Sequence, residues 1–171
     1  DRYGLESEYL VIGEDFNPEI GFVRRADQRR SYLQGRFSPR PANSDLVRKY
    51  SFSGTVEHVE NGTGRLETRS LSAQGSVELQ NSDEVQVEYS GNYEFLPFDF
   101  PISTGVTIPI GGYDFSRLRS TYSFGRQRVV SGRVTVEVGS FYSGDRTSLS
   151  IGAARLNVGP RFSVEPSVSL N

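Results

Sequence analysis

Four glutamates, Glu78, Glu88, Glu94 and Glu137, fall on the polar side of alternating segments, and Arg133 stands beside Glu137 on the same side. Two carboxylates about 5–10 Å apart are the equipment of glycoside hydrolysis, one acting as acid and the other as base or nucleophile. Any polar β-face yields such pairs, however, and charged residues on the inner wall of a wide membrane barrel are the ordinary case. The five residues are therefore expected to line a lumen, with glycan hydrolysis kept as an alternative and no enzymatic role assigned. A second group surrounds the segment 13–27, where Asp15, Glu19, Arg24, Arg25 and Asp27 enclose Phe16, Ile20, Phe22 and Val23. The apolar residues argue for an ordered loop. Asp15, Arg24 and Arg25 would then be ligand contacts, the arginines meeting carboxylates or sugar hydroxyls; alternatively the arginines simply pair with Asp15 and Asp27. In a third group, Phe98 and Phe100 offer ring faces on which a sugar can stack. The same rings would serve as a rim plug or a membrane-surface anchor, and Tyr89, Tyr93, Phe95, Phe141 and Tyr142 are candidates for aromatic girdles.

Other chemistries find no footing. His58 is the only histidine and has no partners spaced for a catalytic triad; an interfacial or structural role is expected for it. The absence of cysteine removes disulfides, thiolate zinc sites and cysteine nucleophiles together. Asn61-Gly62-Thr63 has the form of a glycosylation acceptor but reads as turn chemistry, and Gly111-Gly112 lacks the Lys-Ser/Thr of a phosphate loop. No cofactor and no metal is expected.

The elements that must position these residues follow from a period of two. Val85, Val87, Tyr89, Gly91, Tyr93 and Phe95 share one side of 84–95, against Glu84, Gln86, Glu88, Ser90, Asn92 and Glu94. Val130–Val138 repeats the pattern, as do 70–79 and 162–170, and no run has helical spacing. Asn61-Gly62-Thr63-Gly64, Asn81-Ser82-Asp83, Ser143-Gly144-Asp145 and Gly159-Pro160 supply tight connectors. Strands are predicted at 2–12, 29–38, 46–60, 64–80, 83–97, 113–124, 128–142, 146–158 and 162–170. The fold class is all-β, an antiparallel up-and-down meander of long strands. Nothing approaches the ~18 apolar residues of a membrane helix, and the 35% hydrophobic content suits both a membrane barrel and a soluble β-protein. With 19 basic and 21 acidic residues, the net charge of −2 offers no field for nucleic acid.

Connections in a meander alternate between two rims. The long ones, 12–29 and 96–113, both fall on the first rim, and the second has nothing longer than 38–46. Outer-membrane barrels have long external loops and short periplasmic turns. About nine strands would leave the last ending on the long-loop rim, whereas closed bacterial barrels usually have an even number. The expectation is one incomplete domain, 1–171, forming a portion of a transmembrane β-barrel.

The segments FNPEIGFVRR (16–25) and VTIPIGGY (106–113), with GRLETRSLS and VGSFYSGDRTSLSIG, resemble a family of bacterial envelope proteins. In that family a domain like the family-9 carbohydrate-binding modules precedes a C-terminal domain of unknown function, predicted to form an outer-membrane β-barrel. The resemblance spans nearly the whole chain. It implies an interior portion of that barrel, located in the bacterial outer membrane. The partners it implies are the lipid bilayer, the remaining barrel strands, an upstream sugar-binding domain and a saccharide ligand. Some relatives are labelled hydrolases, but no catalytic motif of theirs falls in this portion. The competing expectation is a soluble or surface-attached β-module for adhesion or assembly. Arg155, which shares parity with Leu149, Ile151 and Ala153, is a mild sign of it.

Overall fold

Side chains that alternate between β-branched or aromatic and short polar types favour extended backbone, because a pleat gives each set its own face. The computed structural model describes residues 2–22, 26–141, 144–157, 163–164 and 168–170, and turns that alternation into strands throughout. In chain order these are β1 (Tyr3–Ile12), β2 (Gln28–Phe37), β3 (Val47–Asn61), β4 (Leu66–Leu79), β5 (Glu84–Leu96), β6 (Phe100–Ser103), β7 (Val106–Ile108), β8 (Gly111–Phe124), β9 (Val130–Phe141), β10 (Gly144–Asn157), β11 (Ser163–Val164) and β12 (Val168–Leu170). Strands β3, β4, β5, β8 and β10 have 13 to 15 residues each, against a usual length of about 5–6.

All pairings are antiparallel. One sheet runs β1-β2-β3-β4-β5-β8-β9-β10-β11, with β12 also against β10, while β6 and β7 form a separate hairpin. This is the expected meander. The sheet is open: among the described residues β1 pairs with β2 and with no other strand. Three details differ from the sequence reading. Gly144 and Asp145, expected in a turn, already pair with Phe141 and Ser140, so β10 begins two residues before the predicted 146. The long connection after β5 contains the β6–β7 ribbon, which turns at Gly105 with φ 82°, a left-handed conformation that suits glycine. The expected strand over 162–170 is described as the two pieces β11 and β12, which pair with β10 at 156–157 and 149–151.

Register decides which residues share a face. One row crosses Leu5, Gly35, Gly54, Ala73, Tyr89, Leu118 and Val138, and its neighbour crosses Leu33, Val56, Leu71, Gly91 and Ser116. On the other face a row crosses Arg36, Ser53, Gln74, Glu88, Arg119, Glu137 and Ser148. It is the apolar face that is open: Leu71, Leu118 and Val136 are 42, 45 and 44% exposed, whereas Ser76 and Glu137 on the polar face are 7 and 8%. A single layer shelters one of its faces by curling around it. The polar face is therefore concave and the apolar face convex.

A register shift between Gly152 and Arg155 inserts one extra residue of β10 opposite β9. One extra residue inverts the alternation beyond it. Arg155 thus pairs with Ser131, in the polar set, and its parity with Leu149 and Ile151 does not put it on the apolar face. Where β8 meets β9, a Cβ added at Gly139 would lie 2.6 Å from the Ser116 carbonyl oxygen and 3.2 Å from the Arg117 Cα. Backbone cannot give way as a flexible side chain does. Gly139→Ala is expected to destabilise the protein by about 1–3 kcal/mol, read from urea unfolding. Gly35→Ala, where a Cβ meets nothing within 4 Å, is the matched control and should not destabilise.

Candidate functional site

Strands β5, β8, β9 and β10 lie side by side and bring their polar alternates to the concave face. Arg119 Nε and Nη2 donate to Glu137 Oε2 at 2.9 and 2.7 Å, and Arg117 Nη2 donates to Glu88 Oε1 at 3.1 Å. The hydroxyls of Thr121 and Thr135 meet at 3.2 Å in the same field. Glu137 thus pairs with Arg119, its direct neighbour across the β8–β9 ladder, and not with Arg133 of its own strand. Directly opposed side chains start about 5 Å apart, whereas four residues along a strand span about 13 Å. Arg133 lies opposite Ser123 and Gly152 and has no ion-pair partner among the described residues. A cavity of ≈ 590 Å³ is lined by Arg117, Arg119, Arg133, Arg146, Glu84 and Glu137, together with hydroxyls of β8, β9 and β10. An adjoining one of ≈ 770 Å³ shares Arg117, Glu137 and Arg146 and adds Glu88, Glu94 and Asn92. Such volumes suit small-molecule ligands.

Four of the five expected lumenal residues, Glu88, Glu94, Arg133 and Glu137, therefore line these two cavities. Glu78 does not, although it stands opposite Glu84 in the register; near the end of β4 it is ion-paired with Arg48 at 2.8 Å. Of the residues expected to act from the long connections, Asp15, Phe98 and Phe100 are not gathered with the others. Asp15 is exposed in the first connection, Phe98 is exposed in the second, and Phe100 opens β6. Arg24 and Arg25 lie outside the described residues, as do Tyr142 and the side chain of Phe141. His58 sits on the convex face between Ser31 and Arg69, with Nε2 at 2.9 Å from Glu60 Oε1. On the other half of the concave face, the guanidinium of Arg30 holds Glu57 at 3.1 Å, contacts Glu8 and lies 5.1 Å from the Tyr32 ring centroid.

A second cluster forms around Asn81-Ser82-Asp83, where turn chemistry alone is expected from the sequence. Asp83 is 1% exposed. Its carboxylate accepts hydrogen bonds from Tyr122 Oη at 2.7 Å, the Gly125 amide at 2.8 Å, Asn81 Nδ2 at 3.1 Å, and Arg128 Nε and Nη2 at 3.0 and 2.6 Å. Gln127 also reaches the Asn81 carbonyl. Two successive turns of the short-connection rim are thereby tied together. Burial pushes the Asp83 carboxyl up, but the Gly125 amide, the Tyr122 hydroxyl and the Arg128 guanidinium outweigh it and hold the group below the ordinary range. A signal was present: alternation of connections puts 80–83 and 124–128 on one rim, so an acid in one turn and an arginine in the next are neighbours.

Among the described residues no group of three His, Cys, Asp or Glu side chains is placed to hold a metal, and no helix is long and apolar enough to cross a membrane, which says nothing of strands. The arrangement offers charged forks and hydroxyls in a sheltered trough, the equipment of a polar binding wall. No protein-family profile, no curated protein and no solved structure matches this chain.

Proposed function

We propose that this chain forms part of the wall of a bacterial outer-membrane β-barrel, and that its concave face contacts a solute, a saccharide above all, on its way into or through the barrel. The observation that carries this reading is the direction of the exposure contrast. A one-sided sheet in water turns its apolar side toward a core; here that side is convex and open, while glutamates and arginines occupy the sheltered side. Hydrocarbon is the solvent that suits a convex apolar wall. On β5 the apolar alternates run from Val85 to Phe95. That is roughly 33 Å of strand at about 3.3 Å per residue, or about 25 Å of height at a tilt near 40°, the height of a barrel's apolar band.

The connections support the same reading. Residues 13–27 and 97–110 leave one end of the sheet, and 38–46, 80–83 and 125–129 leave the other, which is the asymmetry of external loops and periplasmic turns. Among the described residues the open edge of β1 has a row of amides and carbonyls without strand partners, which hydrocarbon does not tolerate. Further barrel strands are the partners proposed for it. An upstream sugar-binding domain is the companion that the family resemblance implies. Glu88 and Glu137, each held by an arginine, act here as wall residues and not as catalysts.

The test is fractionation of the native full-length protein. It is expected in the outer membrane, extractable only with detergent, and faster on a gel when unheated than when boiled. Recovery as a soluble monomer would sink the reading and favour a β-module in which a second layer covers the convex face.

A further inference from the structure

We infer that the β8–β10 portion of the concave face selects anionic solutes, and among saccharides those bearing carboxylates. This rests on the barrel reading above and narrows it to a class of ligand. The chain as a whole carries a net charge of −2, yet the ≈ 590 Å³ cavity is lined by the four arginines 117, 119, 133 and 146 against the two glutamates 84 and 137. Two of the four are committed: Arg119 to Glu137 at 2.7 Å and Arg117 to Glu88 at 3.1 Å. Glu137 also feels the charge of Arg146 across the β9–β10 boundary, but its short contacts go to Arg119. Arg133 and Arg146 are left exposed, with no hydrogen-bonded carboxylate among the described residues. On the far half of the same face the situation differs, since Arg30 is bracketed by Glu8 and Glu57.

Only Glu84 faces Arg133 and Arg146 in this cavity as a carboxylate not already paired with an arginine, and the remaining surplus of positive charge in a trough focuses positive potential there. Each guanidinium presents a planar fork that a carboxylate fits with two parallel bonds. The surrounding side chains complete a sugar-compatible surface: Thr121, Ser123, Thr135, Ser148 and Ser150 line the same cavity and can exchange hydrogen bonds with ring hydroxyls. Glu94 and Glu88 border the adjoining cavity, so the positive surplus is confined to the β8–β10 side.

The experiment uses the full-length protein purified in detergent and titrates it with trigalacturonate and with neutral maltotriose of equal length, by calorimetry at low and high salt. Trigalacturonate is expected to bind at least about tenfold more tightly, a difference of about 1.4 kcal/mol, and to weaken as salt rises. The double variant R133E/R146E should lose at least that factor; if it does not assemble, R133Q/R146Q is read in its place. Equal affinity for the two sugars, no binding of trigalacturonate, or unchanged binding by the variant overturns the inference. The gel shift on heating separates the two levels. An intact shift without acid selectivity removes this inference alone, and loss of both detergent dependence and shift removes the barrel reading with it.

Discussion

Replacing Asp83 with alanine is expected to lower the free energy of unfolding by roughly 3 kcal/mol, the cost of removing one partner from a buried charged network. The carboxylate is the common acceptor for Tyr122, Gly125 and Arg128, and its loss strands the Gly125 amide in a buried site and leaves the guanidinium without its counter-charge. Asp83→Asn keeps the shape and loses the charge, so it should fall between wild type and alanine. Because the folded-state carboxyl titrates below its ordinary value, the unfolded chain takes up this proton first as pH falls. The stabilisation is then complete above the ordinary aspartate value of about 4 and drains away as pH drops toward and through the lowered one. Equilibrium urea unfolding across the acid range checks both points. The wild-type slope at low pH should flatten in Asp83→Asn, and an unchanged slope would remove Asp83 from the account.

Leu118→Arg is the second large effect. Leu118 stands on the convex face between Tyr89 and Val138 in the register, near the middle of β8. In a barrel wall an arginine at that depth costs about 2–4 kcal/mol, and assembly into the outer membrane should fall accordingly. Ser148→Arg, on the concave face opposite Glu137, is the control and should change stability by no more than about 0.5–1 kcal/mol. If the convex face met water instead, the result would invert: an arginine replacing a leucine that is 45% exposed would be neutral and would raise solubility. The sign of the Leu118→Arg effect therefore discriminates between the two solvents.

Much of the wall is legible in the residues because a strand writes its two environments alternately. Tyr50, Phe52, Gly54 and Val56 announce β3, and Val130 through Val138 announce β9, with ends displaced by a residue or two. Even the rims can be assigned by following the connections. What stays hidden is whatever depends on a neighbour across the ladder. Glu137 has Arg133 on its own strand, and only register shows that Arg119 is closer. Asp83 looks like any acidic turn residue until the turn two strands on lies beside it. The bulge that carries Arg155 to the polar set leaves no periodic mark, since an inserted residue resembles a misplaced one. The β6–β7 ribbon is masked by Pro101 and Pro109, which read as loop, although Pro101 is accommodated in a two-stranded edge.

The nearest-neighbour order of the large sheet also limits how a protein of this kind can change its size. Among the described residues no strand crosses over another, so each hairpin is a module bordered by the same two rims. Insertion of a single strand would send every later connection to the other side of the sheet, and one placed between β5 and β8 would also detach the 80–83 turn from the 125–129 turn that Asp83 fastens to it. Duplication or loss of a hairpin, by contrast, changes the circumference and leaves every remaining face and rim as it was. The unit of evolutionary growth for such a wall is therefore the strand pair, and the tolerated steps in its diameter come in twos.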